Sequence, residues 1–157
     1  MSESAKHELD APPWLRVEST LMSAARGIRR AYDLRLAELG LNLSEASLLA
    51  YTMESGPVMQ SDLARHMGVG RAAMGSLIDA LEGRGWVERR PKPGDRRVWL
   101  VAITPSGEQA ADQITKIDER LRSELREGIS RRERRELNQL LNRLRENVGR
   151  IIETEET

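Results

Sequence analysis

Two short amphipathic stretches joined by a glycine-containing turn constrain the fold of this chain more than any other feature. The stretches cover residues 62–67 and 71–83, and Gly68-Val69-Gly70 lies between them. Apolar residues of the second stretch recur at helical spacing, at Met74, Leu77, Ile78 and Leu81. Two short helices joined by a turn of this length form a helix-turn-helix. The sequence therefore predicts this motif at residues 62–83.

The hydrophobic period changes directly after the second of these helices. Residues 86–90 are a predicted strand, and residues 97–103 are a second one, rich in β-branched and apolar side chains. Residues 91–95, with the sequence PKPGD, form a predicted turn because proline and glycine interrupt strands. A hairpin in this position is a wing. We therefore predict a winged helix-turn-helix DNA-binding domain at residues 41–104.

Two further helices are predicted ahead of the motif. Apolar residues recur every three or four positions over residues 14–39, which predicts one long helix that ends at Gly40. Asn42 or Ser44 can cap the next helix, which ends near Gly56-Pro57.

Two more helices follow the wing. Thr104-Pro105 provides a capping residue and a proline for the first turn of a helix that Gly128 interrupts. Ser130 and Glu133 match a capping box at the start of the last helix. In total we predict a mainly α (α+β) fold with about six helices and one β-hairpin wing.

The apolar stripes of the first, fifth and sixth helices are longer than a domain of this size buries alone. We therefore predict a helical dimerisation region at residues 14–40 and 105–154, with an intramolecular bundle as the alternative. The candidate interface residues are Trp14, Leu21, Ile28, Leu137, Leu141, Leu144, Val148 and Ile151. Residues 1–13 are polar and predict a disordered N-terminal tail.

Several function classes find no support in the sequence. The absence of cysteine excludes disulfides, thiolate metal sites and thiol-based switches. No secretory signal and no apolar run of about 20 residues is present, so we expect a cytoplasmic protein. His7 falls in the tail and His66 beside the turn, and neither belongs to a catalytic motif. We predict no enzyme activity, no cofactor and no metal.

Positive charge is concentrated beside the helix-turn-helix although the net charge of the chain is zero. Residues 60–97 carry eight basic and five acidic side chains, whereas residues 1–59 and 98–157 have net charges of −2 and −1. A focused basic patch on a neutral protein suits a polyanionic partner. The alternative is a solvated charged loop.

The second helix of the motif and the wing are the candidate DNA-binding elements. Such a helix lies in the major groove, and an arginine at the wing tip can enter the minor groove. Asp95 is spaced to hold the guanidinium of Arg97 in place. The candidate residues are Ser61, Gly70, Arg71, Ala72, Ala73, Gly75, Ser76, Arg90, Lys92, Asp95, Arg96 and Arg97.

Each type of residue on the helix flank has its own expected contact. The open N–H groups at Gly70 suit a phosphate, and Arg71 suits a guanine edge or a phosphate. Ser76 can bind a base edge, and alanines can touch thymine methyl groups. Gly75 costs about 1 kcal/mol relative to alanine in a helix. It either allows close approach to DNA or packs against a neighbouring helix.

The wing also carries a family signature. Asp95-Arg96-Arg97 is followed after five residues by Ile103-Thr104-Pro105-Ser106-Gly107, which matches the pattern D-x-R-x5-[LI]-T-x-x-G. With LARHMGV and LIDALEGRGWVERRP in the helix-turn-helix, residues 14–150 resemble the MarR family of bacterial transcriptional regulators. The resemblance implies that Arg97 is the minor-groove residue and that Asp95 positions it.

The resemblance also implies partners. It implies a homodimer, joined through the first and last helices, on a pseudo-palindromic DNA operator, and we expect a repressor. Many such regulators bind a small aromatic or phenolic effector, for which Met22, Arg26, Tyr51 and Trp99 are candidates, with ordinary core or surface roles as the alternative. The small residues on the recognition flank depart from the family pattern, which favours phosphate contacts and DNA shape over base readout. The competing hypothesis is a protein-interaction module that does not bind DNA.

Overall fold

Six α-helices and a three-stranded antiparallel sheet make up residues 12–156, the part of the chain that this computed structural model describes. The helices are α1 Val17–Leu36, α2 Leu43–Ser55, α3 Gln60–Met67, α4 Arg71–Gly83, α5 Pro105–Leu125 and α6 Arg131–Glu155. The strands are β1 Val58–Met59, β2 Val87–Lys92 and β3 Asp95–Ile103. The predicted mainly α fold with a wing is confirmed. Most of the expected tail, including His7, lies outside the described residues.

The chain divides into two compact units, Met1–Leu121 and Arg122–Thr157. The helix-turn-helix, the sheet and most of α5 belong to the first unit, and α6 belongs to the second. The boundary that we predicted between residues 104 and 105 stays a prediction. The dimerisation role of residues 14–40 and 105–154 stays a prediction.

Capping decides where the first two long helices begin and end. The first helix does not run unbroken from residue 14, because a 3-10 turn at Pro13–Leu15 is followed by an extended residue, Arg16, before α1. Gly40 closes the end of this segment in the left-handed conformation at φ +66°. Asn42 caps α2 through a capping box with Glu45, with N···O distances of 2.9 and 3.0 Å. Asn42, rather than Ser44, is therefore the cap.

The sheet differs from the prediction in two places. Val58 and Met59 form a short strand that pairs with Val101 and Leu100 of β3, which two residues of sequence were too few to indicate. The predicted turn over residues 91–95 is also too long, because β2 continues to Lys92 and β3 begins at Asp95. Pro91 is tolerated within β2 because that strand lies at the edge of the sheet.

One hydrophobic core holds the helix-turn-helix against the sheet. The chain contains no phenylalanine, and aliphatic side chains fill the interior. The largest fully buried apolar side chains are Leu36, Leu48, Leu49, Leu63, Met74, Ile78, Leu81, Val87 and Val101. Burying each side chain of this size contributes about 1.5–3 kcal/mol relative to exposure. These contacts fix α4 in the first unit and leave its opposite flank exposed.

The base of the wing is joined closely to the first turn of α5. The Thr104 hydroxyl donates to the carbonyl of Gly85 at 2.6 Å and accepts the N–H of Gly107 at 3.1 Å. The Thr104 N–H donates to the carbonyl of Trp86 at 3.0 Å. Thr104 therefore caps α5 and closes the hairpin at the same time, which gives a physical reason for the Thr-x-x-Gly part of the wing signature.

Gly107 is required because no side chain fits at its position. A Cβ there would lie 2.0 Å from the carbonyl oxygen of Trp86 and 2.8 Å from a side-chain carbon of Ile103. A contact of 2.0 Å with a backbone atom cannot be relieved by moving a flexible side chain.

We predict that Gly107→Ala lowers the free energy of unfolding by about 1–3 kcal/mol, because the methyl group forces the wing base away from α5. Urea denaturation measures this change. Gly27→Ala is the matched control, because a Cβ at Gly27 in α1 meets nothing within 4 Å and the substitution favours helix. Equal stability of Gly107→Ala and the wild type would contradict this account of the joint.

Candidate DNA-binding site

The flank of α4 that faces away from the core carries the predicted recognition residues. Arg71, Ala72, Ala73 and Ser76 are exposed, and Gly75 is half-buried. The Ser76 hydroxyl donates to the carbonyl of Ala72 at 3.2 Å, so it is held along the helix. Gly70 is the N-cap and offers no side chain to the first N–H groups of the helix. These groups remain available to an external acceptor.

Gly75 is not required by packing within the chain. A Cβ at this position would lie 3.5 Å from the side-chain nitrogen of Gln60, which is ordinary van der Waals contact. Gln60 begins α3, and the same nitrogen donates to the carbonyl of Arg71 at 3.4 Å. The helix-packing interpretation of Gly75 therefore has no steric basis in this contact, and alanine would fit.

The wing holds Asp95 and Arg97 together in a different way from the one that the sequence suggested. The backbone N–H of Arg97 donates to the Asp95 carboxylate at 3.0 Å. Asp95 thus fixes the backbone at the start of β3, whereas the sequence suggested a contact to the guanidinium. Ser61, the remaining candidate outside α4 and the wing, is exposed in the first turn of α3.

The basic residues of the patch divide into paired and unpaired groups. Within residues 12–156, the charged groups of Arg71, Lys92, Arg96 and Arg97 form no ion pair. Arg90, by contrast, is paired with Glu88. The unpaired cations of the wing lie next to its two-residue turn, where a polyanion can reach them.

Arg84 belongs to the basic cluster in the sequence but has a structural role. Its guanidinium donates to the carbonyls of Leu39 and Gly40, with a distance of 3.1 Å for the first. The same group lies 4.9 Å from the ring centroid of Trp86. Arg84 therefore ties the end of the first helical segment to the wing base. Its place in the sequence gives no signal of this contact.

Arg89 joins the wing to the recognition helix α4 through two carboxylates. Its guanidinium donates to Asp79 at 2.6 Å and also to Glu82. The backbone N–H of Arg89 donates to Glu82 at 3.2 Å. The hydrogen bond to Asp79 is the largest cause that raises the pKa of Arg89 above its ordinary value. We did not predict this cluster, because its members are seven and ten residues apart and share no local period.

The four effector candidates are not brought together by any described contact. Met22 and Arg26 are exposed on α1, and Trp99 is exposed on β3. Tyr51 stacks instead on His66, with ring centroids 3.9 Å apart. Arg26 lines a concavity of about 380 Å³ along α1 and the residue that follows it, with Arg29, Arg30, Asp33, Leu34 and Ala37.

The remaining expectations concern metals and membranes. Within residues 12–156, no three His, Asp or Glu side chains are grouped so that they could hold a metal ion. None of the described helices is both long and apolar enough to cross a membrane.

Several proteins that this chain resembles are named as transcriptional regulators. A sequence model of the MarR family matches residues 41–99. The uncharacterized HTH-type transcriptional regulator YdgJ of Bacillus subtilis is 30% identical over 135 residues, which are 85% of this chain and 82% of YdgJ. The structure of the transcriptional repressor CouR bound to a 23-mer DNA duplex has a TM-score of 0.76 at 25% identity, covering 82% of this chain and 91% of CouR.

A second solved structure has the same fold at lower identity. It is that of Bordetella bronchiseptica BpsR, with a TM-score of 0.78 at 19% identity, covering 85% of this chain and 96% of BpsR. That structure concerns the mechanism by which 6-hydroxynicotinic acid regulates the DNA binding of BpsR. The matched proteins are regulators, which confirms that the chain is not an enzyme. The match to YdgJ over most of both chains shows that this protein belongs to the MarR family of DNA-binding winged-helix transcriptional regulators.

Proposed function

We propose that this regulator is a repressor that binds a pseudo-palindromic operator as a homodimer. The observation that carries the proposal is that one helix-turn-helix unit presents both the exposed flank of α4 and unpaired cations on the wing, at Lys92, Arg96 and Arg97. A helix in the major groove and a basic wing in the adjacent minor groove together recognise a half-site. The DNA-bound repressor CouR, which shares the fold, supports the sign of regulation.

In this proposal the wing supplies most of the affinity and α4 mainly positions the protein. Among the unpaired basic side chains of the patch, Arg71 lies on α4 and the others lie on the wing. The two alanines and Gly75 offer little hydrogen bonding to base edges, so they suit close approach and methyl contacts. Sequence preference then comes from the wing, from a few contacts at Arg71 and Ser76, and from DNA shape.

The homodimer is supported by the surface of α6. None of the residues of this helix is buried in the single chain. Its apolar residues are spaced by four and three positions, at Leu137, Leu141, Leu144, Val148 and Ile151, as in a helix that packs on another helix. Trp14 and Ile28 are also exposed, at 73% and 41%. Exposed apolar side chains on each of the two units are unfavourable in water, and a second copy of the chain would cover them.

Release by a small aromatic effector is a second part of the proposal. The concavity on α1 contains three arginines, at positions 26, 29 and 30, which suit a carboxylate or a phenolate. The regulation of BpsR by an aromatic acid supports this class of molecule. Arg26 lines this concavity, and Met22, Tyr51 and Trp99 remain candidates for further contacts.

We predict that Arg97→Ala weakens binding to the preferred duplex by about 1–3 kcal/mol and lowers the slope of log K against log salt by about one. Fluorescence anisotropy at two salt concentrations measures both quantities. The probe is a duplex that the wild-type protein enriches from a random library, compared with a scrambled duplex. Arg120→Ala in α5 is the control, because this exposed arginine lies on neither α4 nor the wing and is not among the proposed interface residues.

Two outcomes would contradict the proposed function. Wild-type affinity in Arg97→Ala would exclude the wing as the main source of binding. Failure of the wild-type protein to prefer any enriched duplex over the scramble would favour the protein-interaction module instead.

We predict that Gly75→Ala stabilises the fold by about 1 kcal/mol but weakens DNA binding, because the methyl group fits within the chain yet occupies the space next to the bases. Urea denaturation and anisotropy measure the two effects. Gly27→Ala should raise stability in the same way without changing DNA affinity. Unchanged DNA affinity in Gly75→Ala would show that the small flank does not approach the groove closely.

We predict that the paired substitutions Leu141→Glu and Val148→Glu convert the protein to a monomer, because they place two charges in the proposed apolar interface. Light scattering measures the mass, and Asn142→Glu on the same helix is the control for added charge. A wild-type protein that is monomeric at all concentrations tested would overturn the homodimer.

A further inference from the structure

We propose that Arg89 is a positioning residue for DNA recognition: it fixes the wing relative to α4 and neutralises Asp79 on the DNA-facing flank. This inference rests on the proposed DNA binding of α4 and the wing. The guanidinium of Arg89 is held by two carboxylates of α4. We therefore assign Arg89 no direct contact with DNA.

The contacts hold both the backbone and the side chain of Arg89. Glu82 accepts the backbone N–H at 3.2 Å and also pairs with the guanidinium. Asp79 accepts from the other terminal nitrogen at 2.6 Å. The Arg89 side chain is 28% exposed, whereas the Asp79 side chain is 67% exposed. The ion pair is therefore partly shielded from solvent at Arg89 on β2 and open to solvent at Asp79 on α4.

The position of this link in the hairpin explains how it can act on Arg97. Arg89 is paired with Val101 of β3, and Arg97 lies four residues earlier on that strand. At about 3.3 Å per residue, Arg97 is roughly 13 Å along the strand from this anchor. Between them the pairing is irregular at Pro91 and Lys92. A small change in the angle between the hairpin and α4 at Arg89 would therefore produce a larger displacement at Arg97.

The second consequence is electrostatic. Ala72, Ser76 and Asp79 follow one another at helical spacing on the exposed flank of α4. An unpaired carboxylate at the third of these positions would repel the phosphates that approach the first two. The hydrogen-bonded guanidinium of Arg89 removes this repulsion, so the usable flank extends past Ser76.

Only arginine suits this position. A planar guanidinium can donate to two carboxylates at once, whereas the single ammonium of lysine is a compact charge without this fork. Arg89→Lys therefore keeps the net charge of the protein but loses the simultaneous contacts with Asp79 and Glu82. Its effect distinguishes the positioning of the wing from a simple attraction between Arg89 and phosphate.

The test compares Arg89→Lys, Asp79→Asn and the wild type on the enriched duplex and on the scrambled duplex. Arg65→Lys is the matched control, because Arg65 pairs with Asp62 within α3 at 3.2 Å and joins no two elements. We expect Arg89→Lys to bind the enriched duplex roughly three- to tenfold more weakly, a loss on the order of 0.7–1.4 kcal/mol, with a smaller loss on the scrambled duplex and an unchanged salt slope. Asp79→Asn should lower the ratio of enriched to scrambled binding by raising the scrambled affinity.

Amide hydrogen exchange without DNA provides an independent readout. We expect faster exchange over residues 89–97 in Arg89→Lys, with unchanged exchange in α2. Wild-type binding ratios and wild-type exchange in Arg89→Lys would overturn the proposal. Equal losses on both duplexes would also overturn it, because they would indicate a charge contact or general destabilisation. If the wild type prefers no duplex, the proposed function fails, and the exchange measurement still decides whether Arg89 orders the wing.

Discussion

The contact between the wing base and the start of α5 determines where the wing can lie. Thr104 closes the hairpin against Gly85 and Trp86 and also caps the helix, so two elements are fixed by one residue. Gly107 lets the helix approach the carbonyl of Trp86 more closely than any side chain allows. The rest of the wing extends from this joint, and its direction depends on it.

Starting from that joint, ion pairs determine which cations of the wing are available. Arg89 and Arg90 are close to the base and are paired with carboxylates of α4 and β2. Beyond them, Lys92, Arg96 and Arg97 have no ion pair within the described chain. A net-neutral protein therefore presents a local positive surface at the wing tip. These cations attract a polyanion because no ion pair within the described chain neutralises them.

Local sequence rules located the elements because the signals were short-range. The limits of α4, the cap at Ser130 and the terminator at Gly40 follow from spacing and capping within a few residues. The turn of the wing was predicted too long, because proline breaks a central strand but is accepted at a sheet edge. Which strand is at the edge depends on the whole sheet, and β1 was missed because two residues show no period.

For the candidate site, the sequence by itself determined which residues carry charge and which helix flank is small, because these depend on residue type and helical spacing. Only the tertiary structure decided their partners. It placed Asp95 on the backbone N–H of Arg97, joined Arg89 to Asp79 and Glu82, and left room for a methyl group at Gly75. The physical reason is that ion pairs and close contacts depend on distances between elements that are far apart in the chain, and no local pattern encodes those distances.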